Sequence, residues 1–450
     1  MRVVRIADDT RIGPMGRVRT LPERHGRVVL LLLGLILAVG LGLRLIGVID
    51  PIDSSYQGAD AARYERIAAL VYTDQRFAVP GSDAPYDWSP GAPLFYAGIY
   101  YVTGGVHPAL GRLAIALLGL VTIVICYLLG RRLHGPAAGL VAALLAATYP
   151  AFVFNTGRLL SEPLAEVTVP GAVLAFLWAL DRRSVWAWLA PGVLIGLSAL
   201  VRPEYLLFGL AFALLALIRR GPVRALVLAA AFALPIAPWA IHVSNEVGRF
   251  VPVTTGAGKA LFIGSYLPGD GIHDRVKIEL MERYLGMRDV TPEQRARQPM
   301  EPLLDRVAAK YPDLPRDAAL NRIGRENLSR YAREQPVALA RMMANKVRWM
   351  WRGSSGAMLS APAVALQIAI VALGILGLVI LTIQRRFEAL LLGGLILGLT
   401  VFSGIVLAAP RRNLALMPLV MTLASTGLVT LALYARAAIQ ARGLQPRLEP

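Results

Sequence analysis

Apolar runs too long for the interior of a soluble domain set the terms for this chain. The first spans residues 28–49, and a helix rising about 1.5 Å per residue needs about 20 such residues to cross a hydrocarbon core of about 30 Å. Further runs follow at 110–129, 136–154, 163–180, 185–201, 204–218 and 225–243, and a last group at 361–383, 388–408 and 414–434. The pattern predicts an all-α polytopic membrane protein of about ten spans. A soluble chain of 450 residues has no need of 56% apolar residues with only 17% charged. The run 28–49 is longer than a signal-peptide core and lacks a small-residue cleavage site, so it is expected to remain as a helix, with Arg44 snorkelling to the interface.

Charge gives the sidedness. The 47 Lys and Arg against 29 Asp and Glu leave +18, which in a soluble protein would suggest nucleic acid. Here the Arg pairs fall between apolar runs, where they read as topology signals facing anionic lipid, and no nucleic-acid partner is expected. With the Arg-rich segment 1–27 as a cytosolic tail, alternation puts Arg131-Arg132, Arg182-Arg183, Arg219-Arg220 and Arg385-Arg386 on the same inner side. This predicts a multi-pass protein of the plasma (inner) membrane with a cytoplasmic N-terminus. The same alternation lays 92–103 along the outer interface, with Phe95, Tyr96, Tyr100 and Tyr101 as an aromatic belt.

The expected division is a basic tail at 1–27, a membrane module at 28–243 with a first outer loop at 50–109, a mostly helical outer segment at 244–360, further spans over 361–435 and a cytosolic tail at 436–450. Near the end of the outer segment, Leu339, Met342, Met343, Lys346, Val347 and Met350 recur at helical spacing beside Trp349 and Trp351, as an interfacial helix would have them.

Polar residues gather at the outer ends of different spans: Asp60, Arg63 and Tyr64; Asp83, Asp87, Trp88 and Ser89; Asn155, Arg158, Ser161 and Glu162; Arg202 and Glu204; His242, Asn245 and Arg249; Arg411, Arg412 and Asn413. Ionisable groups are costly near apolar depth, so each is a functional candidate, against the alternative of an interface anchor. Arg202-Pro203-Glu204 joins two runs of roughly 17 and 15 residues, short of the roughly 20 that cross directly, so its charges are expected to face a cavity. Glu162, just ahead of Pro163, also suits a helix N-terminus. Asp60 is the sharpest candidate, a carboxylate between apolar surface and cations that is suited to act as a base toward a hydroxyl or amine acceptor, while cations take up the charge of a departing phosphate. The single Cys126 supports neither a disulfide framework nor a Cys metal site, and the scattered His residues form no ligand set by spacing. Neither metal nor cofactor is required by these residues.

The order of Asp60-Ala61-Ala62-Arg63-Tyr64, Ser89-Pro90-Gly91-Ala92-Pro93, Leu160-Ser161-Glu162-Pro163, Arg202-Pro203-Glu204 and Pro410-Arg411-Arg412-Asn413 resembles the GT-C glycosyltransferases of family 39 and its relatives, the protein O-mannosyltransferases and the aminoarabinose transferases. The resemblance implies a GT-C helix bundle with interfacial helices in its first outer loop. It also implies an inverting transferase that passes a sugar from a polyprenyl-phosphate donor to an acceptor glycan, lipid or protein on the extracytoplasmic face. By position it implies Asp60 as the catalytic carboxylate and Arg63 as a ligand of the carrier phosphate; beside them Glu162 is expected as a second catalytic carboxylate, Arg158, Arg202 and Arg412 as further phosphate ligands, and Tyr64, Ser89, Glu204 and Asn245 as substrate contacts. Two positions depart from the pattern: Ala61 stands where many relatives have a second acid, and Ser89 where the aminoarabinose transferases have a phosphate-binding Lys. A transporter or flippase of a lipid-linked or anionic substrate is the alternative, with Asp60, Glu162 and Arg202 as gating charges, and a non-catalytic lipid-binding subunit is a third reading.

Overall fold

The computed structural model describes residues 23–51, 59–77, 86–353 and 360–443; Asp83 and most of the segment 1–27 lie outside them. The described chain is built of helices: α1 (Glu23–Ile49), α2 (Ala59–Asp74), α3 (Gly91–Thr103), α4 (Pro108–His134), α5 (Pro136–Thr148), α6 (Pro150–Phe154), α7 (Glu162–Leu180), α8 (Leu189–Val201), α9 (Leu206–Arg220) and α10 (Pro222–Val247). An outer segment follows with α11 (Ala257–Ser265), α12 (His273–Leu285), α13 (Pro292–Arg297), α14 (Glu301–Ala308), α15 (Arg316–Glu334) and α16 (Pro336–Arg352). The chain returns to apolar helices in α17 (Ala361–Ile383), α18 (Phe387–Ile405) and α19 (Met417–Gly443).

Among the described residues, 7 helices are long and apolar enough to cross a membrane, and the pair α5 and α6, bent by 46°, makes 8 if it is one span. Sequence periodicity predicts about ten. The difference lies in α8 and α9, whose 13 and 15 residues reach only about 20 and 23 Å at 1.5 Å per residue. The bundle core is made by apolar faces such as Val169, Phe176, Trp188, Phe212 and Leu392, all fully or nearly fully buried.

Contacts sort the bundle into two ends. At one, Arg132 pairs with Asp181 and Glu388, Arg386 donates to the Leu133 carbonyl, and Arg224 donates to the Arg183 carbonyl, so the four predicted Arg-rich connections do share a side. At the other lie Asp60, Glu162, Arg202 and Arg411.

Two sequence expectations change. Arg44 does not snorkel: it is 1% exposed and donates to the carbonyls of Ala146 and Ala147, which the helix break before Pro150 leaves without intrahelical partners. The stripe on α16 faces protein rather than an interface, with Leu339, Met342, Lys346 and Met350 buried. Lys346 Nζ donates to the carbonyls of Gly264 in α11 (2.7 Å) and Ile405 in α18 (3.1 Å), clamping the outer segment to the bundle. Gly264 is obligatory there, because a Cβ would sit 1.3 Å from the Val406 carbonyl oxygen. The outer segment has its own core of Phe262, Leu280, Leu304 and Leu320.

Candidate active site

Local chain stops bring the charges together. Pro163 and Pro203 follow Glu162 and Arg202 at the starts of α7 and of the turn Pro203–Tyr205, and both suit first-turn positions where no backbone N–H is needed. Residues Pro410–Leu416 form a 3-10 turn before α19, held by Asn413 Nδ2 donating to the carbonyls of Met350 (2.7 Å) and Gly353 (3.0 Å). Asp60 is in the first turn of α2, where a carboxylate complements the helix dipole.

These three turns and α2 meet in a line of alternating charge. Arg411 donates to Asp60 through Nη2, and its Nη1 is 3.4 Å from Glu162 Oε1. The same Glu162 oxygen is 3.1 Å from Arg202 Nη1, Arg202 Nε is 2.9 Å from Glu204 Oε1, and Arg412 Nη1 stands 3.9 Å from that oxygen. Arg158 lies at the margin, close enough to Arg411, Glu162 and Asp60 to feel their charge; it donates to Asn155 Oδ1 and covers the Phe154 ring. Among the described residues it forms no ion pair. Three carboxylates thus face four guanidinium groups, and the line is closed at one end and open at the other. Glu162 and Glu204 keep 2% and 6% of their side-chain exposure, whereas Asp60 and Arg411 keep 32% and 34%.

Burial by itself raises the Asp60 carboxyl, but Arg411, with Arg202 farther away, outweighs it and holds the group below its ordinary value. Burial likewise opposes ionisation of Glu204, yet Arg412 and Arg202 hold it at about 2. Tyr64 is buried beside Asp60, bonded to Ser161, with its phenol pushed up by burial and then by Asp60 and Glu162. In this state Asp60 is a weak base, and any anion that takes Arg411 away from it makes it a stronger one.

Of the residues singled out in sequence, Asp60, Tyr64, Arg158, Glu162, Arg202, Glu204 and Arg412 converge here. Arg63 does not: one turn along α2 it lies over the Trp88 ring and 4.0 Å from Glu301 of the outer segment. Ser89 is half-buried and Asn245 exposed, and neither bonds to the cluster among the described residues. Arg411 has no assigned role in the sequence reading, yet among the described residues it alone forms ion pairs with both Asp60 and Glu162. Asp87, His242 and Arg249 form a separate polar cavity of about 770 Å³ under the outer segment, where Asp87 accepts from Thr255 and pairs with Arg316, and Arg249 pairs with Asp317. Among the described residues, no three His, Cys, Asp or Glu side chains are grouped as a metal site.

The oligosaccharyltransferase AglB of Archaeoglobus fulgidus, solved with an inhibitory peptide and a dolichol-phosphate, superposes with a TM-score of 0.50 at 16% identity over 94% of this chain and 53% of that one. The same enzyme tethered to an acceptor peptide gives 0.50 at 15% identity, over 94% of this chain and 52% of that one. ArnT from Cupriavidus metallidurans bound to undecaprenyl phosphate gives 0.41 at 18%, over 94% and 81%. The likeness to AglB establishes a shared fold, and the chain spans about half the length of that enzyme. No curated protein matches the chain by sequence. Residues 84–242, which carry Arg158, Glu162, Arg202 and Glu204, match the family described as dolichyl-phosphate-mannose-protein mannosyltransferase. The likeness to that family is confined to this stretch, about a third of the chain.

Proposed function

We propose that the protein is a membrane glycosyltransferase that takes a sugar from a polyprenyl-phosphate carrier and passes it, with inversion, to an acceptor hydroxyl at the extracytoplasmic end of the bundle. The single observation that carries this reading is the open end of the charge line, where an accessible carboxylate and an accessible guanidinium sit together beside Arg158. The dolichol-phosphate held by the archaeal relative supports a lipid phosphate as the leaving group. In this account α8 and α9 complete about ten passes, their short hairpin holding Arg202 and Glu204 below the outer surface.

The chemistry follows from the charges. The carrier phosphate, arriving at Arg411 and Arg158, competes with Asp60 for the Arg411 guanidinium. Asp60 is released as a base where the acceptor needs one. The acceptor oxygen then attacks the anomeric carbon, the bond from that carbon to the phosphate oxygen breaks, and the acceptor proton passes to Asp60. Arg411 and Arg158 stabilise the charge that develops on the departing phosphate. Glu162, held by Arg202 and Arg411, is in this scheme a positioning residue that fixes Arg411, and Arg202, Glu204 and Arg412 form the buried frame behind it. Arg63 has no part in holding the phosphate. The outer segment reaches this end, with Glu301 4.0 Å from Arg63 of α2, and an acceptor would enter beneath it.

The test is Asp60→Asn in nanodiscs, with native membranes as the source of donor and acceptor. Release of polyprenyl phosphate is expected to fall by about 10³-fold or more, with lipid binding retained. Substantial turnover by the variant would defeat the assignment.

A further inference from the structure

A second cavity, of about 920 Å³, opens between α17 and α18. Ile375, Leu378, Leu390 and Leu397 wall it, and its floor includes Gly393 and Gly394. It runs from the Arg-rich end of the bundle, where Phe387 begins α18, to Thr400, which accepts from Trp351 Nε1 at 3.2 Å. At 1.5 Å per residue that length is about 20 Å, more than the roughly 15 Å of one leaflet's hydrocarbon.

The rim at the Arg-rich end is not apolar. It carries Arg219, Arg385 and Arg386. Arg386 is committed to Glu388 (2.8 Å) and to the Leu133 carbonyl. Arg219 lies 4.3 Å over the Phe387 ring, and Arg385 is exposed in a left-handed turn with φ 55°. Among the described residues neither of these two guanidinium groups pairs with an acid. An apolar slot with two spare cations at one mouth fits an amphiphile, with hydrocarbon along the slot and an anion at the mouth. A free phosphate would gain nothing from the apolar walls, and an apolar peptide nothing from the cations. The carrier assigned above has its phosphate at the other end of the bundle.

We propose that the groove between α17 and α18 binds one phospholipid with an anionic head group, the head on Arg385 and Arg219 and a fatty-acyl chain along α18 toward Trp351. This site does not depend on the transferase reading. Its occupant comes from the leaflet at the Arg-rich end, where Arg131, Arg182 and Arg183 add to the positive field.

Gly394 gives a clean probe, because a Cβ added there meets nothing within 4 Å and a larger side chain would grow into the slot. Purified full-length protein would be titrated in detergent with phosphatidylglycerol and with phosphatidylcholine, and binding read by native mass spectrometry. Phosphatidylglycerol is expected to bind about 25-fold tighter, at about 5-fold per guanidinium, and Arg219→Gln with Arg385→Gln should bring the two lipids to parity. Gly394→Phe should cut phosphatidylglycerol binding about tenfold without lowering Tm, and Gly394→Leu serves if the Phe variant does not fold. Equal affinity of the native protein for both lipids would overturn the proposal. So would unchanged phosphatidylglycerol binding by a folded Gly394 variant, or a slot that takes undecaprenyl phosphate and refuses phosphatidylglycerol.

Discussion

Replacing Arg411 with Gln separates the electrostatic account from a purely structural one. Two unit charges 4 Å apart interact by about 4 kcal/mol at an effective dielectric of 20 and by about 1 kcal/mol in water. The Asp60 and Arg411 side chains are each about one-third exposed, so the pair lies between these limits, at about 1–3 kcal/mol. Arg411 holds the carboxyl down against burial, so its removal moves the Asp60 pKa up. The acid limb of kcat/KM, which reports the free enzyme, should therefore shift to higher pH. In the native enzyme the limb in kcat should already lie above that in kcat/KM, because bound phosphate has taken Arg411 from Asp60. In the variant the two limbs should converge. Transfer at the optimum should fall by about 10²–10³-fold from lost stabilisation of the leaving phosphate. The assay is polyprenyl phosphate release by protein in nanodiscs from about pH 2 to 9, counted by mass spectrometry. An acid limb of kcat/KM that does not move on removing Arg411 would refute the coupling between the two residues.

Three further outcomes follow. Arg63→Gln should change donor affinity by less than about threefold and stability by less than about 1 kcal/mol, as measured by lipid titration and Tm, because Arg63 lies over the Trp88 ring and makes a half-exposed 4.0 Å contact with Glu301, away from the charge line. Glu204 titrates near 2 in the folded protein against an ordinary 4.5, so it contributes stability that is complete above about pH 4.5 and is lost as pH falls toward 2; the fall of Tm between pH 6 and 3 should be shallower in Glu204→Gln. Burial and then Arg412 push Lys346 down to about 7 from 10.5, so the unfolded chain binds the extra proton between these values and stability should rise with pH across that window by at most about 1.4 kcal/mol per unit, a slope that Lys346→Met should abolish in Tm measured from pH 7 to 9.

What could be read in the sequence was set by length and charge. Apolar runs of about 20 residues fixed most of the bundle, and the Arg pairs fixed which connections share an end, because both signals are local and summed over many residues. The short runs over α8 and α9 set Arg202 and Glu204 apart as charges facing a cavity, and the structure packs both into the charge line. What failed was direction. A three-residue spacing sets Asp60 and Arg63 one helical turn apart but does not say that Arg63 turns to Glu301 while Asp60 turns to Arg411, a residue 351 positions away. Arg44 was misjudged for a related reason. Its partners are carbonyls freed by a helix break in another segment, and nothing in its own run announces them. On α16 the stripe was visible, but lipid and protein are equally apolar partners, and Lys346 within it was the sign that protein carbonyls would face it.

The most direct measurement is a structure of the protein with a polyprenyl phosphate bound. The account predicts the phosphate at the open end of the charge line, within hydrogen-bonding distance of Arg411 and Arg158, with the Asp60 carboxylate parted from Arg411. A phosphate held by Arg63 or Arg249, or one that leaves the Arg411 and Asp60 pair intact, would contradict it.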